Sequence, residues 1–255
     1  MAHTEASAEN RAYFNDLATK YEDRFGKTLD RLVEEIQSRR DFIGAEWADG
    51  EDGDDEATPK DETSKRPVRL LDYACGTGLV SRALAPFTTQ CVGIDISEAM
   101  IGVYNTKAEN QGLTKEDMFA IHGDLLDPAV PSPAHLSDPE FFNFDIAAVG
   151  LGAHHFADPA LAVKRLVERL KPGGVLMILD FIEHAPVAID TVGVSSVMHH
   201  GFSKEQVKTF FEEGGAGQGF DMAILGRGMI FHGHGAGEAG AERTVFIARG
   251  QKAAN

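Results

Sequence analysis

Three aspartates and one glycine turn carry the chemistry that can be read along this chain. Asp72 lies in Leu70-Leu71-Asp72-Tyr73-Ala74-Cys75-Gly76-Thr77-Gly78, where an apolar run stops at a glycine-bearing bend. Glycine lets a backbone turn tightly and come close to a ligand. A helix opening near Leu79 would add unpaired N–H groups and the positive end of a dipole, a cradle for a phosphate or a carboxylate. Asp95 follows 23 residues after Asp72, at the end of Cys91-Val92-Gly93-Ile94. A carboxylate at that place can accept both hydroxyls of a ribose. Asp124, in Ile121-His122-Gly123-Asp124-Leu125, sets a carboxylate beside a backbone N–H, which matches the donor and acceptor edge of adenine. Together these residues describe a pocket for a nucleoside without a charged phosphate. The dinucleotide fingerprint would need a third glycine where Ser81 stands, and a phosphate loop would need Gly-Lys-Ser/Thr after the turn, which is missing.

The elements that must position these groups follow from periodicity. Val68 to Tyr73, Gln90 to Ile94, Met118 to His122, Phe144 to Val149 and Val175 to Phe181 are short apolar runs that read as strands. The spacing predicts helices over Leu79 to Phe87, from a Ser97 cap to about Glu109, from Asp158 or Pro159 to Leu170, and over Ser203 to Glu212. Phe220 to Leu225 and Arg243 to Ala248 are two closing strands joined by a glycine-rich link, for ten glycines lie between Gly214 and Gly240. Strands alternating with helices predict an α/β fold: a doubly wound, seven-stranded, mostly parallel sheet with an antiparallel last strand. Ligands of such sheets bind at the carboxyl ends of the strands, which is where the three aspartates fall.

Ahead of the sheet, Tyr13, Phe14, Leu17, Tyr21 and Phe25 recur at helical spacing, and Leu29, Leu32, Val33 and Ile36 repeat it. Residues 1–44 are expected to form a helical lid, 45–67 an acidic flexible loop and 68–255 the ligand-binding core. Of the net charge of −16, half arises between Glu46 and Glu62, where nine acidic residues face one Lys. Such a run is a solvated, self-repelling loop. The acidic balance weighs against nucleic acid as a partner, and no apolar run is long enough for a membrane span. With two cysteines, no disulfide framework and no secretory leader at Met1-Ala2-His3, a reduced cytoplasmic protein is expected.

In this order and spacing the motifs resemble the class I S-adenosylmethionine-dependent methyltransferase family, whose core is Rossmann-like. Leu71 to Gly78 looks like its glycine motif, Val92 to Ser97 with Met100 its ribose motif, and Gly123-Asp124-Leu125 its adenine motif. Leu170-Lys171-Pro172-Gly173-Gly174 looks like the turn into its fifth strand. Tyr13-Phe14-Asn15 and Tyr21-Glu22-Asp23 are similar to the small-molecule, ubiquinone/menaquinone-biosynthesis type. The resemblance implies S-adenosylmethionine as cofactor, S-adenosylhomocysteine as product and a small organic acceptor. It also implies roles: the backbone of Ala74, Gly76 and Gly78 facing the methionine part, Asp72 ordering the turn, and Asp95 on the ribose. Ile96 and Met100 would pack on adenine, Asp124 and the Leu125 N–H would bind its edge, and the Gly150 carbonyl would hold the ammonium. Tyr21, with Tyr13, would close the lid.

A sulfonium methyl is already a strong electrophile, so in-line displacement needs positioning more than a strong catalyst. If the acceptor must lose a proton, His154 and His155 in Gly150-Leu151-Gly152-Ala153-His154-His155-Phe156 are the candidate bases. Two rivals stay open: a nucleoside-binding regulator without catalysis, and a nicotinamide-dependent oxidoreductase on a similar sheet. A protein or nucleic-acid acceptor also stays open, although no Asn/Asp-Pro-Pro-aromatic signature follows the fourth strand. His199-His200 reads as a surface pair and His232-Gly233-His234 as a loose, metal-free loop, so no metal is expected.

Overall fold

A computed structural model describes residues 3–48, 66–185, 197–231 and 241–254. Its centre is one seven-stranded sheet. The strands are β1 (Arg69–Tyr73), β2 (Gln90–Asp95), β3 (Met118–His122), β4 (Phe144–Gly150), β5 (Leu170–Phe181), β6 (Gln218–Phe231) and β7 (Ala241–Gln251). Their order across the sheet is β3-β2-β1-β4-β5-β7-β6. The pairs from β3 through β5 are parallel. β7 runs antiparallel to both β5 and β6. The expected architecture is therefore observed, with chain order reversing between β1 and β4. At that reversal the loops after β1 and β4 diverge to opposite faces and open a crevice.

The sheet is buried on both faces, and the sequence shows why. Along β5, Val175, Met177 and Leu179 join one apolar cluster, while Leu176 and Ile178 join the other. Continuous apolar runs rather than alternation are what a two-faced burial requires. The first face carries α1 (His3–Leu17), α2 (Tyr21–Gln37), α4 (Leu79–Leu84) and α5 (Glu98–Asn110), with the short α3 (Arg40–Ile43) ending the N-terminal run. The second face carries α6 (Pro159–Arg169) and α7 (Lys204–Gly214). α2 continues through Gly26, and its Leu29, Leu32 and Ile36 enter the same cluster as Val68 and Leu70.

Caps define the helix starts as read. Ser97 accepts from the Met100 N–H at 3.2 Å. Asp158 accepts from Leu161 at 2.9 Å, and Ser203 forms a reciprocal capping box with Gln206. Four elements differ from the expected bounds by more than a residue or two at some end. α4 stops at Leu84 and tightens into a single short turn through Phe87, where Pro86 cannot donate to continue it. β5 begins at Leu170, ahead of the Lys171-Pro172-Gly173-Gly174 turn, with a register shift opposite β4. β6 and β7 are longer than the sequence runs, because β6 is bent by three register irregularities that hide its period. Residues 49–65 of the acidic segment and His232-Gly233-His234 lie outside the described residues. Among the described residues no helix is long and apolar enough to cross a membrane, and no cluster of His, Cys, Asp and Glu could hold a metal ion.

Candidate active site at the strand ends

The glycine turn after β1 is held from below. Ala74 and Gly76 take positive φ, and Gly78 takes φ 95° as the cap of α4. Its dihedral favours glycine, and a Cβ on Gly78 would sit 3.0 Å from the Tyr104 ring, a tight contact. Asp72, 1% exposed, accepts from the Ser81 N–H at 3.0 Å and the Ser81 hydroxyl at 2.8 Å. Tyr104 donates to the same hydroxyl at 2.8 Å. Burial pushes the Asp72 carboxyl up to about 7, against the pull of the two Ser81 bonds. Asp72 lies behind the crevice wall, tying β1 to α4.

Asp95 ends β2 on the wall itself. Its Oδ2 accepts from the Gly76 N–H at 2.8 Å and its Oδ1 from the Ser97 N–H at 2.8 Å. Burial raises its pKa, and the N–H groups of Ser97, Gly76 and Ile96 oppose the rise. A carboxylate has about four acceptor positions, so lone pairs are left for ligand hydroxyls. Ile96 and Met100 line the crevice beside it.

Asp124, just after β3, is also on the wall. Its Oδ1 accepts from the Leu126 N–H at 2.8 Å, and its Oδ2 meets the Ser7 hydroxyl at 2.8 Å and His3 Nε2 at 3.0 Å. The Leu125 N–H is taken up by the Tyr73 hydroxyl, to which it donates at 3.2 Å; Leu126, not Leu125, lines the wall. After β4, Gly150, Leu151 and Gly152 line the crevice, and Cβ atoms on the two glycines would meet Val80 at 2.6 Å and Ala74 at 2.9 Å. His155 lines it too, edge-on to Phe14 at 5.1 Å. His154 lies beneath: its Nδ1–H donates to Asp180 Oδ1 at 2.8 Å, and its ring packs on His155 at 4.1 Å.

The structure thus brings Tyr21, Ala74, Gly76, Asp95, Ile96, Met100, Asp124, Gly150 and His155 around one crevice of about 920 Å³, counting space open to solvent. Asp72, Gly78, Leu125 and His154 stand just behind it. His199 and His200 do not line it; His199 Nε2 meets the Phe156 carbonyl oxygen at 3.0 Å. The inward face of α1 was missed. His3, Ser7 and Asn10 carry no apolar periodicity to mark them, and only Phe14 stood in the aromatic stripe.

α1 and α2 reach all four strand ends. Besides the Asp124 contacts, Asn10 donates to the His155 carbonyl at 3.0 Å. Asn15 accepts from the Ser97 hydroxyl at 2.7 Å and the Ala99 N–H at 3.1 Å. Arg11 pairs with Glu98. Glu22 accepts from the Thr77 hydroxyl at 2.6 Å and pairs with Lys107 at 2.6 Å. Burial alone would raise the Glu22 pKa, yet the bonds from Lys107 and Thr77 hold it below the usual carboxylate value. Tyr21 is pushed up by burial and serves as an uncharged wall of the crevice.

A family model described as a methyltransferase domain matches residues 71–178. The chain is 32% identical over 156 residues to an uncharacterized methyltransferase of Schizosaccharomyces pombe, covering 58% of this chain and 53% of that one. It is 31% identical over 125 residues to demethylmenaquinone methyltransferase of Staphylococcus aureus, covering 48% and 46%. The chain therefore spans about half the length of the curated relatives it matches. A solved chain from the complex of the Haloferax volcanii Trm112 methyltransferase activator with the putative methyltransferase superposes with TM-score 0.61 at 14% identity, over 94% of this chain and 97% of that one. That likeness is one of fold. Sequence match and sheet order agree, and residues 71–178 resemble a methyltransferase domain in sequence as well as in fold.

Proposed function

We propose that the chain is an enzyme that transfers the methyl group of S-adenosylmethionine to a small organic acceptor in the cytoplasm. One observation carries the reading: Asp95, Asp124 and the open Gly76 backbone share a single crevice roofed by α1 and α2. These residues fit a nucleoside joined to an amino-acid chain. Asp95 keeps acceptor capacity for two hydroxyls. A Cβ on Gly76 would meet nothing within 4 Å, so the turn leaves room in front of its backbone. Tyr73, Leu126 and Met100 supply flat and apolar surface for a base. When bound, the cofactor would supply a sulfonium methyl group, which an acceptor's nucleophile would take in line as the S–CH3 bond breaks and the thioether leaves.

The protein's own work is positioning and exclusion of water. The glycine turn, locked by Asp72, Ser81 and Tyr104, holds the amino-acid end. Asp95 orients the ribose, with Gly76 and Ser97 fixing the carboxylate in turn. His155 takes up the acceptor's proton at a ring nitrogen where the nucleophile needs to lose one. His154, fixed by Asp180, is a positioning residue behind it. The roof supports a small acceptor, because a polymer strand needs an open groove and α1 lies across this one. The acceptor that the Staphylococcus aureus relative's name implies, a demethylated menaquinone, is one candidate within this class.

The test is transfer of labelled methyl from S-adenosylmethionine into fractionated cell extract. Label is expected in the low-molecular-mass fraction, and Asp95→Ala should lower it about threefold or more at donor concentrations near the wild-type Kd. Label confined to protein or nucleic acid would overturn the small-acceptor reading.

A further inference from the structure

Asp124 is already surrounded by donors of its own chain. A carboxylate offers about four acceptor positions. At Oδ1 the Leu126 N–H donates at 2.8 Å and the Tyr73 hydroxyl approaches at 3.5 Å. At Oδ2 the Ser7 hydroxyl donates at 2.8 Å, and His3 Nε2 lies at 3.0 Å. That nitrogen must carry the hydrogen, because a carboxylate oxygen only accepts. The cluster is nonetheless open to the crevice: the Asp124 and His3 side chains are 26% and 17% exposed, and both line the wall with Ser7. Asp95, by contrast, is held by the N–H groups of Gly76 and Ser97 and keeps positions over. Both donors on Asp124 Oδ2 come from the start of α1, where His3 and Ser7, four residues apart, share one helix face. Further along, Arg11 and Asn15 tie α1 to the α5 rim. The first turn of a helix is the part that frays most readily. Fraying at His3 and a new rotamer at Ser7 therefore free Oδ2 while the rest of α1 stays in place.

We propose that His3 and Ser7 form an autoinhibitory latch at the base end of the crevice: they hold Asp124 Oδ2 in the free protein, and a nucleobase bearing an exocyclic amine displaces them and takes that oxygen. The latch is selective as well as inhibitory. A base that returns a donor to Oδ2 makes up for the two it removes, whereas a base without one leaves the carboxylate unsatisfied. The inference rests on the methyltransferase reading and deepens it, because it names the contact that the adenine of the cofactor must break. Apparent affinity is then the intrinsic affinity reduced by the fraction of chains whose latch is open.

The test is calorimetry on the full chain, wild type against the double variant His3→Ala/Ser7→Ala. Two probes are used: S-adenosylhomocysteine, and its analogue with hydrogen in place of the adenine amine. The variant is expected to bind S-adenosylhomocysteine about tenfold more tightly, because no donors of its own compete for Asp124. The analogue, which cannot take the freed oxygen, should change by less than about twofold. The sign is the point, for here the loss of two polar wall residues strengthens binding. Weaker or unchanged binding of S-adenosylhomocysteine overturns the proposal. So does equal tightening of both probes, which would mean that the roof has merely loosened. Arg11→Ala, which cuts α1 from Glu98 without touching Asp124, measures that loosening. A thermal melt confirms that the variants are folded. A second measurement needs no variant: amide hydrogen exchange in the peptide spanning His3 to Asn10 should quicken when wild type binds S-adenosylhomocysteine, and slower or unchanged exchange overturns the latch. Wild type that binds neither probe overturns the methyltransferase reading together with this one. Wild type that binds S-adenosylhomocysteine, beside a double variant that binds it no better, overturns this one alone.

Discussion

Asp72 and Asp95 are both buried carboxylates at adjoining strand ends, yet they do different work. Asp95 shares its oxygens between two backbone N–H groups and the crevice. Asp72 spends its capacity on Ser81 and never reaches the crevice. With its pKa raised from the usual carboxylate value to about 7, Asp72 favours the protonated form in the fold. Its contribution to stability is therefore full below about pH 4, where folded and unfolded chains both hold the proton, and is lost as pH rises to about 7. Asp72→Asn keeps an acceptor for Ser81 and removes the titration. Urea unfolding should show wild type losing stability relative to this variant from pH 4 to 7, at a slope of at most about 1.4 kcal/mol per pH unit. A constant gap between the two across that range would contradict the account of the carboxyl as desolvated.

Each strand end does its part because something small or capped stands where the chain must turn. At the end of β4, Gly150 presses against α4, and a Cβ there would lie 2.6 Å from Val80. Gly150→Ala is expected to destabilise the protein by about 1–3 kcal/mol through overpacking, measurable as a lower urea midpoint with an unchanged slope. A neutral result would show that β4 and α4 can part, and with them the wall of the crevice. The elements themselves were legible because strong signals agreed: apolar runs of strand length, Ser97 and Asp158 at helix starts, and glycines at turns. The strand-end aspartates were legible for the same reason, since topology fixes where a strand's carboxyl end must lie. What could not be read depends on tertiary contact. Whether Leu125 or Leu126 faces the crevice turns on the Tyr73 hydroxyl, 52 residues away in sequence. Of the two histidines, the one at the wall is decided by Asp180 on β5 capturing the other. The polar inward face of α1 has no period of its own, because His3, Ser7 and Asn10 meet different strand ends rather than a common apolar core.

Taken whole, the molecule is a buried sheet whose chemistry lies along one edge, closed by the helices that precede it. The acidic balance does not enter the crevice chemistry: half of it belongs to the stretch from Glu46 to Glu62, while the crevice aspartates are tied into N–H and hydroxyl donors. The central claim is that this edge grips an adenosine bearing an amino-acid chain, with Asp95 on its ribose. Calorimetric titration of the full chain with S-adenosylhomocysteine and with NAD, in wild type and Asp95→Ala, tests it most directly. The account predicts that S-adenosylhomocysteine binds more tightly than NAD, and that Asp95→Ala weakens it by about 1–3 kcal/mol, the loss of a buried charged acceptor. Tighter binding of NAD, or an affinity for S-adenosylhomocysteine unchanged by Asp95→Ala, would contradict it.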